Sequence, residues 1–149
     1  DWEVEDNEPK YLYLVPCRCS ETLYGFAHNY SHMVNSTIYI CESEKAVMQA
    51  WGYGYFTFVG LGGNRVSSQQ CKLMVELLPK QIVLLPDVGL DPEITAMNVR
   101  KLQGYTRLLD IEIGYWDWRK HSDPDKVSPT DMGVDRLEQI IKYEIEWGE

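Results

Sequence analysis

From residue 37 onward, short segments typical of strands alternate with segments of helical periodicity. Residues 37–41 (TIYIC) are rich in β-branched and aromatic side chains, and residues 82–85 form a continuous apolar run, as in strands buried on both faces. Between such runs, apolar residues recur with a helical period. This alternation predicts an α/β fold in which helices flank both faces of a mainly parallel central sheet.

The elements predicted from these patterns follow one another along the chain. Strands are predicted at 11–15, 22–26, 37–41, 55–59, 82–85 and 109–113. Helices are predicted at 43–51, 67–78, 91–104 and 128–147. Their apolar faces include Met97 in the third helix and Ile145 in the last. The polar segment 28–35 is predicted to be a loop.

The length of 149 residues is that of one domain. Residues 1–10 are polar and acidic and are predicted to be flexible, and residues 11–149 are predicted to form a single domain. The chain begins at Asp1 and has no signal-peptide pattern, so we expect a domain excised from a longer protein. Its apolar runs are too short to span a membrane, and a cytoplasmic location is expected.

The charge balance of the chain limits how it can meet nucleic acid. Lys and Arg total 14 against 23 Asp and Glu, which gives a net charge of −9. A domain that holds DNA through its phosphates alone is expected to be basic. A metal ion or another polypeptide must therefore supply positive charge, and we expect weak binding of duplex DNA by this chain alone.

Four cysteines, Cys17, Cys19, Cys41 and Cys71, raise the choice between a zinc site and structural roles. Sulfur-based zinc sites usually combine two C-x₂₋₄-C pairs, whereas this chain has one C-x-C and two isolated cysteines. Cys41 ends a predicted strand and Cys71 lies in a predicted helix, so both are predicted to be buried. This favours structural cysteines in a reducing compartment over a shared zinc ion.

Acidic residues follow two of the predicted strands. Glu42 comes directly after strand 37–41, with Glu44 two residues on, and Asp87 follows strand 82–85, with Asp91 four residues further. In a parallel sheet, ligands bind beyond the carboxyl ends of the strands, where Glu42 and Asp87 are predicted to converge. Carboxylate oxygens placed together suit Mg²⁺ or Mn²⁺. The alternative is that each acid caps a helix or is simply solvated.

Three other motifs carry weaker signals. The glycine turn at 60–64 is not a dinucleotide fingerprint, because Arg65 stands where the third glycine would be, and a tight turn is the favoured interpretation. Arg65 itself is a candidate phosphate-binding residue. His28 and His32 are four residues apart in a polar segment without the glutamate of an H-E-x-x-H motif, so surface histidines are favoured over a metal pair.

A group of aromatic residues, Tyr115, Trp116 and Trp118, follows the strand predicted at 109–113. Exposed aromatic side chains can stack on the bases of a single strand. Covering a sheet edge or contacting a neighbouring domain is the favoured interpretation, because large aromatic side chains dominate cores and interfaces.

Several motifs occur in an order that is typical of one known family. Residues 38–46 (IYICESEKA) join a strand to a glutamate before a helix, and residues 82–87 (IVLLPD) join an apolar strand to an aspartate. They are accompanied by Leu-Tyr-Gly-Phe at 23–26, a glycine turn with a Ser-x-x-Gln helix start at 62–70, and Ser-Pro-Thr-Asp-x-Gly at 128–133. Together they resemble the Toprim domain of DNA-primase-like proteins from phages and mobile elements, over almost the whole chain and with Rossmann-like layering.

The resemblance implies a metal-dependent nucleotidyltransferase domain that takes part in primer synthesis and is inactive alone. At the matching positions, Glu42 is implied as a metal ligand or general acid and base, and Asp87 as a metal ligand assisted by Asp91. The implied cofactor is Mg²⁺ or Mn²⁺. Lys45, about one helical turn after Glu42, is implied to neutralise phosphate charge. Implied partners are DNA and nucleotides through the full-length protein, flanking primase domains and a helicase.

Two positions depart from the family pattern. The family has a second aspartate two residues after Asp87, where this chain has Gly89, and a glycine after the glutamate, where this chain has Ser43. A degenerate Toprim module with a binding or structural role is therefore an alternative, as is a Toprim nuclease, which shares the acidic residues. If only Glu42 and Asp87 hold metal, Gly89→Asp is expected to tighten binding about tenfold, unless the glycine requires a positive φ.

Overall fold

The computed structural model describes residues 18–148, and the strands within this range form one sheet of five. The strands are β1 (Thr37–Cys41), β2 (Phe58–Gly60), β3 (Gln81–Leu84), β4 (Glu112–Trp116) and β5 (Ile145–Trp147). Their spatial order is β2-β1-β3-β4-β5, with β1 to β4 parallel and β5 antiparallel to β4. The predicted α/β fold with a mainly parallel sheet is confirmed.

Within the described residues, one α-helix precedes β1, and the other four each connect two successive strands. They are α1 (Phe26–Met33), α2 (Glu44–Gly52), α3 (Ser68–Val75), α4 (Pro92–Thr106) and α5 (Val134–Tyr143). Short 3₁₀ helices lie at Cys19–Glu21, Trp118–Lys120 and Pro129–Met132. The predicted capping box before α3 is present, since Ser67 and Gln70 exchange hydrogen bonds between side chain and backbone.

The core lies on both faces of the sheet, because successive strand residues point to opposite sides. One buried cluster joins the sheet to α1, α3 and α4 through residues such as Met33, Met74 and Leu102. The other joins it to α2 and α5 through residues such as Val47 and Leu137. The predicted arrangement of helices on both faces is therefore confirmed.

The register of the central strands aligns their carboxyl ends. Ile40 of β1 stands opposite Leu84 of β3, and Leu84 stands opposite Tyr115 of β4. The pairing continues past β3, where the amide of Leu85 donates to the carbonyl of Ile40 at 2.9 Å. Residues that follow β1, β3 and β4 therefore emerge side by side at one edge of the sheet.

The prediction for residues 22–35 is wrong in part. In place of a strand, Tyr24 forms an isolated antiparallel bridge with Gly60, and the segment predicted as a loop is largely α1. The polar composition of residues 28–35 suggests an exposed loop, but Asn29 in this segment is fully buried. Its amide donates to the carbonyl of Phe58, and its oxygen accepts from the indole of Trp51, both at 2.9 Å.

The prediction of one long helix at 128–147 is also wrong in part. Gly133, with φ +90°, separates the 3₁₀ helix from α5, and this backbone conformation is unfavourable for other residues. The chain leaves the helix after Tyr143, and Ile145 becomes part of β5 instead of the helix face. The amide of Gly148 then donates to the carbonyl of Ile113 at 2.8 Å, which extends the edge of the sheet.

Other differences concern boundaries and single positions. β2 and β4 each begin three residues later than predicted, at Phe58 and Glu112. Met97, predicted to face inward, is 41% exposed. Cys41 and Cys71 are buried as predicted. The predictions for residues 1–10, for the strand at 11–15 and for Cys17 lie outside the described residues, and no helix within residues 18–148 is long and apolar enough to cross a bilayer.

Candidate functional site

Glu42 and Asp87 stand at the aligned ends of β1 and β3. Glu42 occupies the turn between β1 and α2, because Ser43 begins the helix by accepting a hydrogen bond from the amide of Ala46 at 3.2 Å. Asp87 follows the apolar run of β3 and the buried Pro86. The structure brings the two acids together, since the charge of Asp87 and its backbone amide both act on the Glu42 carboxyl.

The Glu42 carboxyl lies in an environment that disfavours its charge. Burial, followed by the neighbouring Asp87 carboxylate, raises the pKa of Glu42 to about 7. Its Oε1 atom is buried and has no hydrogen-bond partner among the described residues. An unpartnered buried carboxylate oxygen is costly, and a cation at this position would satisfy it.

Asp131 is a third carboxylate that the C-terminal part of the chain brings to the site. Burial and then the charge of Asp131 raise the pKa of Asp87, against a hydrogen bond from Ser128 and the charge of Lys45. Asp131 lies in the 3₁₀ helix before α5, and its Oδ2 accepts from the backbone amide of Ser128 at 3.0 Å. Three acidic residues from distant parts of the sequence therefore influence one another at this edge.

Residues of α2 hold the Asp131 carboxylate in place. Lys45 Nζ lies 2.8 Å from Asp131 Oδ1, and Gln49 Nε2 donates to the same oxygen at 2.8 Å. Burial alone would raise the pKa of Asp131, but the bonds from Lys45 and Gln49 outweigh it and lower that pKa. Asp131 is therefore an anion at neutral pH, paired with the largely exposed Lys45 ammonium.

Asp131 is a residue of the site that the sequence patterns do not indicate. Residues 128–131 have the pattern of a helix start, and the structure shows the corresponding contact between the Ser128 amide and the Asp131 carboxylate. The only sequence signal for a further role was the Ser-Pro-Thr-Asp-x-Gly motif in the family resemblance. Asp131 does not follow a strand, so the geometry of parallel sheets does not predict its position. It lies in the 3₁₀ helix before α5, which packs against α2 through Lys45 and Gln49.

The remaining predicted site residues lie apart from this group. Asp91 begins α4, and its Oδ1 accepts from the amide of Glu93 at 2.9 Å, which is the helix-capping alternative. Arg65 is exposed in the loop between β2 and α3. Neither Asp91 nor Arg65 is among the groups that shift the pKa of Glu42 or Asp87.

Gly89 requires a backbone conformation that aspartate adopts only under strain. Its φ is +97°, and a Cβ placed there would lie 2.3 Å from Oδ1 of Asp125. A non-glycine residue in the left-handed region costs about 1–2 kcal/mol. The tighter metal binding expected of Gly89→Asp remains a prediction. Backbone strain and repulsion from the Asp125 carboxylate would both oppose the substitution.

The histidines and glycine turn have structural roles consistent with the simpler interpretations. The His28 ring lies 4.7 Å from the ring of Trp51, and His32 stacks on Phe56 at 5.2 Å. Within the glycine turn, Gly62 has a positive φ of 72° and packs against Cys19. Both histidines of α1 therefore contact aromatic rings, His28 that of Trp51 in α2 and His32 that of Phe56 just before β2.

The acidic residues fit a divalent ion that keeps most of its own water. Within residues 18–148, no three His, Cys, Asp or Glu side chains are arranged to hold a metal ion together. Mg²⁺ commonly binds through one or two carboxylates plus waters and substrate phosphates. The Glu42–Asp87 pair, with its unpartnered buried oxygen, meets that smaller requirement.

The chain is similar to known proteins in its fold, although not in its sequence. No protein-family model matches the chain, and no curated protein matches it. A DNA primase domain from Pseudomonas aeruginosa superposes with a TM-score of 0.71 at 17% identity, over 97% of this chain and 46% of that one. The DnaG catalytic core gives 0.69 at 14% identity, over 93% and 46% of the two chains.

A third solved structure is similar over the same region. The DnaG primase catalytic domain bound to single-stranded DNA superposes with a TM-score of 0.66 at 12% identity, over 86% of this chain and 41% of that one. This chain therefore spans less than half the length of these structures. It has a primase-like fold, the fold of part of the DnaG catalytic core.

Proposed function

We propose that this chain is the Toprim domain of a DNA-primase-like replication protein, of the type found in phages and mobile elements. In this proposal it contributes a divalent-metal site for nucleotidyl transfer during primer synthesis. The observation that carries the proposal is the buried, unpartnered Glu42 oxygen beside Asp87 at the carboxyl edge of the sheet. The primase-like fold supports it.

Glu42 and Asp87 would hold Mg²⁺ or Mn²⁺, which when bound neutralises and orients phosphate groups. A carboxyl whose pKa is about 7 exchanges protons readily near neutral pH, so Glu42 is also suited to general acid and base catalysis. Lys45 adds positive charge at the first turn of α2, and Arg65 is the proposed phosphate contact on the loop after β2. Asp91 is the weakest of the proposed ligands, because its carboxylate already caps α4.

The proposed partners rest on the charge of the chain and on the family resemblance. A net charge of −9 leaves the binding of DNA and nucleotides to other parts of a longer protein. The resemblance implies that the partners are flanking primase domains and a helicase. The fraction of the primase structures that this chain covers, 46% in the first two, agrees with such a division of labour. The proposed location is the cytoplasm.

A degenerate Toprim module is a second candidate function. Two observations favour it: Gly89 with its positive φ stands where the family has an aspartate, and Lys45 already neutralises Asp131 at 2.8 Å. In this alternative the ion pair stabilises the acidic edge without metal, and the domain acts through its surfaces.

Metal titration separates the two functions. Calorimetric titration of Mn²⁺ at pH 7.5 is expected to show a single weak site, weakened about tenfold, or about 1.4 kcal/mol, by Glu42→Gln or by Asp87→Asn. Glu112→Gln is the matched control, because Glu112 is an exposed acid at the opposite end of the parallel strands. If Mn²⁺ binding is unchanged in both site variants, the metal-site proposal is wrong and the degenerate module is the function that fits. Primer synthesis by the full-length parent with Glu42→Gln then tests catalysis itself.

A further inference from the structure

A cavity of about 240 Å³ opens between the first half of α4 and the carboxyl end of β4. The proposed metal site does not use it. Its walls combine apolar, aromatic and guanidinium groups: Ala96, Val99, Arg100, Tyr115, Trp118 and Arg119. Concave sites with apolar walls and a few convergent polar groups are the usual form of small-molecule sites.

The aromatic wall is held in position by contacts behind it. The indole N–H of Trp118 donates to the carbonyl of Leu90 at 3.1 Å, and Tyr115 is half-buried and packs on the cluster beneath α4. Rings fixed in this way lose little freedom when a ligand stacks on them. The wall is thus organised before any ligand arrives.

Two guanidinium groups stand at the rim of the cavity. Arg119 binds both oxygens of Asp117, at 2.9 and 3.0 Å, and Asp117 is itself buried, so the guanidinium plane is fixed. Arg100 pairs with Glu93 at 2.7 Å. More than half of each arginine side chain remains exposed. Planar guanidinium groups stack on flat rings and bind phosphate oxygens.

The size and position of the cavity favour a particular ligand. Drug-sized ligands occupy about 300–1,000 Å³, so this slightly smaller space suits one flat ring system. β3 and β4 are neighbouring parallel strands with Leu84 opposite Tyr115, so the cavity opens at the same end of the sheet as Asp87. A ring held here with an attached phosphate would lie at the end of the sheet that carries the candidate metal site.

We propose that this cavity binds a nucleobase, stacked on Tyr115 and Trp118, with Arg100 and Arg119 facing the attached phosphate. The choice of ligand rests on the proposed function. The base belongs either to a free nucleotide or to a single-stranded nucleic acid, since both present the same ring and phosphate. Stacking on aromatic rings tolerates any base, so little sequence preference is expected.

Tryptophan fluorescence is the readout for the test, because Trp118 lines the cavity. The chain is titrated at low salt in EDTA with AMP, with an eight-residue oligo-dT, and with ribose 5-phosphate, which lacks the base. Quenching is expected with AMP, with oligo-dT or with both, and the tighter of the two identifies the source of the base. Ribose 5-phosphate is expected to bind at least about tenfold more weakly than AMP, because it cannot stack.

Paired variants locate the binding. Ala96→Phe fills the cavity and is expected to weaken binding about tenfold or more, whereas Met97→Phe adds the same ring at an exposed neighbour and is expected to leave it unchanged. Arg119→Gln is expected to weaken binding, with the exposed Arg107→Gln as its charge control. If thermal melting shows that Ala96→Phe does not fold, the comparison of Arg119→Gln with Arg107→Gln still tests the proposal.

Two outcomes would overturn the inference. One is the absence of quenching by AMP and oligo-dT up to millimolar concentration, and the other is equal weakening by each variant and its control. Failure of the metal proposal is distinguishable from both, because the titration is done in EDTA. The Mn²⁺ affinity of Ala96→Phe is expected to match that of the parent chain, whereas Glu42→Gln is expected to leave base binding intact.

Discussion

At the scale of single residues, the environment of Glu42 decides the chemistry that this edge of the sheet can support. Its carboxyl is half-buried, faces Asp87 and has one buried oxygen without a partner. A structure that only required stability would be expected to place an apolar or hydrogen-bonded side chain there. The cost of keeping glutamate at this position is the physical reason for assigning it a function.

Glu42 makes the stability of the metal-free chain dependent on pH. Its pKa rises from an ordinary value of 4.5 to about 7 on folding, so the folded chain binds this proton more tightly than the unfolded chain. Stability is therefore expected to fall as pH rises from about 4.5 through 7. Glu42→Gln is expected to remove this loss and to gain roughly 1–2 kcal/mol at pH 8, allowing for partial exposure of the carboxyl.

Urea unfolding in EDTA between pH 5 and pH 8 measures this effect. The gain of Glu42→Gln over the parent chain is expected to grow with pH, while Glu112→Gln, at an exposed position, is expected to follow the parent throughout. A gain that is the same at pH 5 and pH 8 would show that burial does not perturb the Glu42 carboxyl.

Part of the candidate site could be predicted from the residues alone. Glu42 and Asp87 each follow an apolar strand, and the geometry of parallel sheets then brings them together. Asp131 could not be predicted in this way, because its position depends on how the turn before α5 packs against Lys45 and Gln49. That packing is tertiary and leaves no periodic signal in the sequence.

At the scale of secondary-structure elements, predictions succeeded where a local signal and the tertiary environment agree. β1 and β3 combine β-propensity with burial, and α2 and α3 begin at serine caps. The local sequence pattern does not predict α1. The side chain of its buried Asn29 forms hydrogen bonds with Phe58 and Trp51, which lie far along the chain. The local pattern also fails at β5, which exists only because β4 offers an edge.

Gln70 in α3 links local and tertiary structure, and its replacement is expected to be costly. The side chain is 1% exposed, and its amide lies within hydrogen-bond distance of the carbonyls of Cys19, Thr22 and Leu61, at 2.9 to 3.1 Å. Gln70→Ala removes this donor from all three carbonyls and is expected to lower the free energy of unfolding by about 2–3 kcal/mol.

Chemical denaturation of Gln70→Ala beside Gln69→Ala checks this expectation. Gln69 is the exposed neighbour in the same helical turn, and its replacement is expected to change stability by less than about 0.5 kcal/mol. Equal effects of the two substitutions would mean that the contacts of Gln70 with the segment before α1 contribute nothing to stability.

At the scale of the whole molecule, charge sets what the chain can do alone. The net charge is −9, and many of its cations are already engaged in ion pairs with acids. The paired cations include Arg18, Lys45, Arg100, Arg119, Lys120 and Arg136. Acids outnumber the 14 Lys and Arg residues by nine, so the chain as a whole repels the phosphates of a DNA duplex.

The isolated chain is accordingly expected to bind double-stranded DNA weakly or not at all near physiological salt. Fluorescence anisotropy of a labelled duplex, measured in EDTA at several salt concentrations, tests this expectation. Submicromolar, salt-sensitive binding would contradict it, since such binding requires several Lys or Arg contacts to phosphates on one face.

The sequence predicts the class of the sheet, which is mainly parallel, but not the order of its strands or the direction of its last strand. Alternating strands and helices predict a parallel sheet with helices on both faces, as observed. The antiparallel edge strand β5 and the fold of the last twenty residues depend on Gly133 and on pairing with β4, which composition does not reveal. The similarity to the primase structures lies in this whole arrangement, at 12–17% sequence identity.

Glu42 and Asp87 are proposed to hold a divalent metal ion together, and crystals of the chain soaked in Mn²⁺ would show this ion in place. Anomalous scattering is expected to reveal one manganese peak with oxygens of both carboxylates at about 2.0–2.3 Å and waters in the other positions. The same soak of Glu42→Gln crystals is expected to give a clearly weaker peak, in line with the roughly tenfold loss of affinity expected in solution. A parent crystal without manganese between Glu42 and Asp87 at millimolar Mn²⁺, with Lys45 still paired to Asp131, would contradict the account.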